Sequence, residues 1–377
     1  MSIRATIEGM SDDPVILSGI KEDVGNFFWL HSAEDDTVGL EVPYPYGSKP
    51  NYDCKDTDVL LLLNPFQVEA VVLDVRVAPG AQRLGYVFPL TSIGSSNHEY
   101  ASNKYFHAAC YAAVFKMLEK LVCRDFAEID VGSCSASCSL DDLFGGDLII
   151  LAIHLPDAVK AGITLEQLYA DLHRHGYALA DWESNTSPIR LDVVKENFYE
   201  ACEKKRLSLR PTCRLLSDDS MISKFICSRL SCPNDPVLRF FYLYQIVERI
   251  LEFELLAQSA RLLEELSAHE PRGLKITGAF HDLKDTLSEK NRLRTLFETR
   301  TNSALQNSPT VNHLKDFLRA CQVDDYPSYW ENFYKVRNIV FHAWWSIPEG
   351  ARQYFSLLVA GVENDIAEVV VSYTPIT

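Results

Sequence analysis

No run of eighteen or more apolar residues occurs in the chain, so no segment reads as a membrane-spanning helix. The first residues, Met1-Ser2-Ile3-Arg4-Ala5-Thr6-Ile7-Glu8, lack the apolar core of a secretory leader. Several common chemistries lack their motifs. There is no G-x-x-x-x-G-K-[ST] phosphate loop, no G-x-G-x-x-G after a strand, no G-x-S-x-G elbow and no H-E-x-x-H metal pair. The ten cysteines are scattered, and the pairs Cys134/Cys138 and Cys227/Cys232 fit neither a repeated C-x2-C nor a C-x2-C…H-x3-H pattern. We therefore expect free thiols in a cytosolic protein, with no metal and no cofactor.

Basic charge is also scarce. The chain has 36 Lys+Arg against 52 Asp+Glu, a formal charge of −16, which argues against a general nucleic-acid coat. The deficit is uneven. From residue 233 onward there are 15 Lys+Arg and 19 Asp+Glu, a balance of −4, which leaves −12 for residues 1–232. A phosphate-binding surface would have to be local, and the C-terminal part is its better host.

What is present is a chain of 377 residues with an apolar fraction of 47%, ordinary for a globular protein and long enough for two domains. Residues 1–205 alternate short strands with helices and read as an α+β domain, a candidate sensor or regulator. Val15–Leu17, Phe27–Leu30, Val38–Val42, Thr57–Leu63, Val68–Val77 and Asp147–Leu155 have strand character, and Leu84–Leu90 is placed to pair with Val68–Val77 across Pro79-Gly80. Asn103–Val122 changes to helical period and should pack on the sheet. Thr164–His175, with Gln167 three residues after Thr164 and Gly176 at its end, reads as a capped helix. Its His173 and His175 lie on different faces and read as core or surface histidines. Leu191–Lys205 is expected to be another helix.

Residues 206–234 read as a connector, with a short helix over Met221–Leu230. Residues 235–377 read as an all-α helical bundle. Asp235 and Pro236 are placed to cap and open a helix of about thirty residues. Shorter helices follow at Lys290–Thr299 and Val311–Cys321, then one from Ser328 to about Trp345, a break at Ser346-Ile347-Pro348, and a last helix over Glu349–Ser372.

The penultimate helix carries the one constellation that suggests chemistry. Tyr334, Val336, Ile339, Val340 and Phe341 would bury it, and Arg337, Asn338 and His342 are polar residues set among them. Buried polar side chains are costly unless they have partners or a purpose. An arginine, an adjacent amide and a histidine five residues on suit work on a phosphodiester.

A helical bundle with Arg-Asn-x-x-x-His on its penultimate helix resembles the HEPN superfamily (higher eukaryotes and prokaryotes nucleotide-binding domain). The resemblance covers roughly residues 235–377. It implies a metal-independent endoribonuclease, a toxin or effector of prokaryotic anti-phage defence or abortive infection, working as a cytoplasmic homodimer through the C-terminal bundle. RNA, tRNA among the candidates, would be the substrate. A phage trigger or an antitoxin would be a further partner, and no membrane is implied. The catalytic residues carried over are Arg337, Asn338 and His342. In one branch of the family, paired with a nucleotidyltransferase, a tyrosine two residues after the histidine is modified; here that position is Trp344, which argues against such a modification.

Glu248 is a candidate to orient Arg337, a solvated helix charge being the alternative. Lys290, Arg292, Arg294 and Lys335 are candidates to guide an RNA backbone, beside Arg300 in the same basic segment. Other readings remain open at this point. Arg337 would pair with Glu331 or Glu349, and His342 would serve the helix end, if the constellation were structural. A non-catalytic dimerisation or nucleotide-binding module is the alternative to the enzyme.

Overall fold

The computed structural model describes residues 3–7, 15–22, 25–51, 53–64, 71–78, 82–122, 129–134, 137–180, 196–226, 230, 235–268, 278, 288–301 and 304–375. The chain divides into two compact units. The first takes in the described residues up to Thr164 and those of 176–180 and 196–209; the second takes in Leu165–His175 and the described residues from Arg210 onward.

The first unit contains two sheets. β1 (Ile3–Ile7), β2 (Val15–Glu22), β3 (Phe27–Ser32), β4 (Gly39–Pro43) and β8 (Ile129–Cys134) make one, in the order β4-β3-β2-β1-β8. β5 (Thr57–Leu63), β6 (Leu73–Val77), β7 (Arg83–Pro89), β9 (Ile149–His154), β10 (Ala178–Leu179) and β11 (Arg206–Leu209) make the other, in the order β10-β5-β9-β7-β6-β11. Neighbours are antiparallel except at β1/β8 and β6/β11, which are parallel. The expected hairpin is present, with Leu73 opposite Val87. Its Pro79-Gly80 turn and residues 68–70 of the expected Val68–Val77 lie outside the described residues; of the rest, the strand occupies Leu73–Val77.

Helix α1 (Lys104–Val122) explains why one chain carries two sheets. Phe106, Cys110, Ala113 and Met117 form one stripe at helical spacing, and they pack with Val59, Phe88 and Ile150 of the second sheet. Tyr111, Ala112, Val114 and Leu118 form the opposite stripe and pack with Leu17, Phe28 and Val42 of the first. A helix apolar on both sides needs cover on both sides. The expectation of one sheet under this helix is thus corrected to two.

The second unit is helical. Helix α2 (Tyr169–Arg174) follows a 3-10 turn at Glu166–Leu168, so only the second half of the expected Thr164–His175 helix is α-helical. The Gln167 side chain donates to the Thr212 carbonyl at 2.8 Å, and the Thr212 amide donates back to Gln167 O at 2.8 Å, which ties this excursion to the start of the C-terminal region. The connector expected over 206–234 begins later, because Arg206–Leu209 is strand β11. Within it Ser220–Lys224 is helical.

Helix α3 (Pro236–Ala268) starts where the sequence places it: the Asp235 carboxylate accepts from Val237 N at 2.8 Å, and its carbonyl accepts from Arg239 N at 3.1 Å. α4 (Glu289–Thr295), continued by a π-turn over Leu296–Arg300, α5 (Thr310–Ala320), α6 (Tyr329–His342) and α7 (Glu349–Ser372) follow. Their apolar stripes share one core, with Phe240, Tyr244, Phe297, Phe317, Phe333 and Phe355 fully buried in it. Among the described residues no helix is long and apolar enough to cross a membrane.

Candidate active site on the penultimate helix

Helix α6 is fixed at its start by an amide that replaces a cap. Buried Asn332 accepts from Tyr326 N at 2.8 Å and donates to the carbonyls of Tyr326 and Ser328 at 2.9 and 3.0 Å. Tyr329, Phe333, Val336 and Val340 then anchor the inner face, Phe333 lying against the rings of Tyr244, Phe297 and Tyr329. Rotation of such a helix is set by these contacts, so the polar residues between them have fixed directions.

Arg337 points inward and is only 17% exposed. Its guanidinium lies over the rings of Tyr244 and Phe341, 4.9 and 5.4 Å from their centroids. Nη1 donates to Asn338 Oδ1 at 3.0 Å. Nη2 faces two carboxylates, Glu289 Oε1 at 3.5 Å and Glu248 Oε1 at 3.7 Å. Both separations exceed the 2.7–2.9 Å of a charge-assisted hydrogen bond, so they are ion pairs without full hydrogen bonds. Nε is buried and finds no acceptor. The Tyr244 hydroxyl donates to the same Glu289 oxygen, and Gln245 Nε2 donates to Glu248 Oε2 at 2.6 Å. Burial, then the bond to Glu289, raises the Tyr244 phenol far above its ordinary range, so it stays a donor to that carboxylate.

His342 is the last residue of α6 and is exposed. Among the described residues it has no hydrogen bond and no ion pair. Beyond it the helix ends, Ala343 N bonding to Ile339 O at 2.8 Å, and a 3-10 turn over Trp344–Ser346 leads to Ile347-Pro348. The helix therefore stops before the Trp345 expected as its end. Trp344 packs its ring 5.1 Å from Phe355, whereas Trp345 is 90% exposed.

The structure thus brings together Arg337, Asn338 and Glu248, and leaves His342 apart. On an ideal helix His342 lies about 140° round from Arg337 and about 7.5 Å along the axis. Arg337 pairs with Glu248 and Glu289, where Glu331 and Glu349 were the alternatives; Glu331 accepts instead from the Ser328 hydroxyl at 2.7 Å. Glu289 and Tyr244 are the members that the sequence reading missed. Tyr244 had a signal, standing one helical turn before Glu248; Glu289 had none, since its position depends on how α4 packs.

The basic residues divide. Arg292 Nη1 donates to Leu251 O at 3.1 Å and fastens α4 to α3. Lys290 and Lys335 lie over the rings of Trp330 and Tyr326 at 5.4 and 5.9 Å, and Arg294 is exposed. Arg300 is drawn inward to buried Glu254 at 3.2 Å. Among the described residues no group of three or more His, Cys, Asp or Glu side chains is placed to hold a metal ion. No family model, no curated protein and no solved structure matches the chain.

Proposed function

We propose that the helical unit is a metal-independent endoribonuclease of the HEPN type, acting through Arg337, Asn338 and His342. One observation carries the reading: a single helix carries an exposed histidine, without a partner among the described residues, and an arginine oriented by two rings and an amide. One copy cannot aim both groups at one phosphate, being about 140° apart on the helix. Two copies across a two-fold axis pool two of each in one cleft, so the enzyme is a homodimer.

In that cleft one His342 takes the proton of an RNA 2′-hydroxyl, whose oxygen attacks the adjacent phosphorus. The bond to the 5′-oxygen breaks, and the other His342 protonates that oxygen as it leaves. The products are a 2′,3′-cyclic phosphate and a 5′-hydroxyl. Arg337 leaves its long carboxylate pairs to bind the phosphate and the charge growing on its oxygens. DNA, without the 2′-hydroxyl, resists. The resemblance adds a setting, an effector of prokaryotic defence against phage with tRNA among its substrates. The acidic first unit is then a sensor that restrains the nuclease until a trigger arrives.

The test is cleavage of total RNA and tRNA in EDTA by the full chain, wild type beside His342→Ala. Loss in the variant alone, with cyclic-phosphate ends, establishes the reading; cleavage retained by the variant ends it. The two carboxylates on Arg337 favour a second reading, a non-catalytic dimerisation or nucleotide-binding module. It requires that wild type and His342→Ala bind RNA or nucleotide equally and cut nothing, also when residues 235–377 are expressed alone.

A further inference from the structure

A cavity of about 350 Å³ opens in the first unit between β7, β9 and the first turns of α1. That volume lies within the usual range of small-molecule sites. Its body is apolar. Tyr105 supplies an aromatic face, Ala108, Ala109 and Gly85 leave room beside it, and buried Tyr86, with the Arg83 guanidinium 5.2 Å from its ring centre, closes one side. A Cβ at Gly85 would lie 1.9 Å from the Ala152 carbonyl oxygen, so the sheet wall stays bare there. Tyr105 is 63% exposed and stands at the mouth, with the Lys104 ammonium 5.1 Å from its ring centre.

One edge of the cavity carries positive charge. Arg83 Nε donates to Asp74 Oδ1 at 2.6 Å, but Asp74 also holds Arg76, whose Nε lies 2.8 Å from Oδ2. One buried carboxylate thus serves two guanidiniums. Arg83 Nη1 donates to the Tyr86 hydroxyl at 3.0 Å. Burial pushes that phenol up to about 12, so it accepts the bond without cancelling the charge. Nη2 of Arg83 has no partner among the described residues. On another edge His154 Nδ1 meets Asp157 Oδ2 at 2.7 Å, a pair that offsets its own charge when the histidine is protonated.

We infer that this cavity binds a small ligand with a planar aromatic body and an anionic end, the body on Tyr105 over Ala108 and Ala109 and the anion on Arg83. Aromatic carboxylates and nucleoside monophosphates share this chemistry. The site is separate from the α6 constellation and does not depend on the nuclease reading.

The test is calorimetric titration of the full chain with benzoate, phenyl phosphate and adenosine monophosphate, beside uncharged benzyl alcohol and adenosine. At least one anion should bind about tenfold more tightly than its uncharged counterpart. Which anion does so separates a carboxylate from a phosphate ligand. Arg83→Gln should erase that preference. Tyr105→Ala, at an exposed position whose loss leaves the core intact, should weaken binding about tenfold without moving the melting temperature. Failure of all three anions to bind at millimolar concentration overturns the inference. So does equal binding of the uncharged counterparts, or binding by both variants that matches wild type.

Discussion

Two arginines of the helical unit, Arg239 on α3 and Arg337 on α6, sit in opposite circumstances. Arg239 is 1% exposed, and its Nη2 donates to Glu363 Oε2 at 2.8 Å. The other Glu363 oxygen meets His173 Nε2 at 2.8 Å, so α2, α3 and α7 are joined through one carboxylate inside the core. Arg337 has carboxylates too, but at 3.5 and 3.7 Å, and both of them reach solvent. The first cluster is held by short bonds, and removing Arg239 or Glu363 strands a buried charge. The second is held mainly by aromatic faces, and its carboxylates can be displaced by another anion at small cost. Burial with short bonds marks a polar group kept for the fold. Fixed orientation with long, solvated pairs leaves a guanidinium able to exchange its carboxylates for another anion.

The largest expected effect breaks the comparison on the side of function. His342→Ala should lower RNA cleavage by about 10²–10⁴-fold, the range for a proton-transferring side chain, measured as initial rates on one labelled RNA. The melting temperature should not move, because the side chain is exposed and without a partner among the described residues. A change in stability without a change in rate would place His342 with the structural residues. Glu363→Ala should do the reverse. It leaves Arg239 buried beside the gap and should cost about 3–5 kcal/mol in urea unfolding. A cost below about 1 kcal/mol would show that Arg239 reaches water, and the contrast between the arginines would fail.

Much of this was legible in the sequence, for reasons that differ by element. The α1 helix itself, the Asp235-Pro236 start of α3 and the full span of α7 follow from periodicity and local capping, which depend on residues within a turn or two; that α1 would be covered on two sides does not. The Arg337-Asn338 pair follows from adjacency. Sheet membership was not legible, since parallel partners β1/β8 and β6/β11 are separated by more than a hundred residues. The Leu165–His175 excursion was hidden for the same reason: its bond to Glu363 spans 190 positions. Glu289 was invisible because nothing near it in sequence points to Arg337.

A third acid sharpens the comparison. Asp365 lies two residues after Glu363, yet what it faces are hydroxyls: Ser308 Oγ donates to Oδ1 at 2.8 Å, Thr310 and Tyr329 lie near, and buried Oδ2 has no hydrogen bond among the described residues. Burial pushes its carboxyl up from 3.8 to about 6, against the pull of those bonds. The folded state therefore holds this proton more tightly than the unfolded state does. The resulting stability is full below about pH 4 and is lost as pH rises through about 6. The gap between 3.8 and about 6 corresponds to about 3 kcal/mol at most. Asp365→Asn, neutral at every pH, should raise the unfolding free energy by about 1–3 kcal/mol at pH 8 and by much less at pH 4. A gain that is the same at both pH values would mean that Asp365 ionises as freely as in the unfolded chain.

The smallest effect tests how loosely Arg337 is held. Glu248 is the more distant of its two carboxylates and is 42% exposed on its side chain, whereas Glu289 is also fixed by the Tyr244 hydroxyl. Glu248→Gln should change stability by less than about 1 kcal/mol, as expected of a solvated pair. If Glu248 only competes with the RNA phosphate for the guanidinium, the variant should bind substrate a few times more tightly, and kcat should stay within about twofold. If Glu248 aims Arg337, kcat should fall and KM should stay. Steady-state kinetics on one RNA separates the two, and the Gln245 bond to Glu248 predicts the first: with one oxygen already engaged by an amide, Glu248 has less to offer the arginine than the two free oxygens of a phosphodiester do.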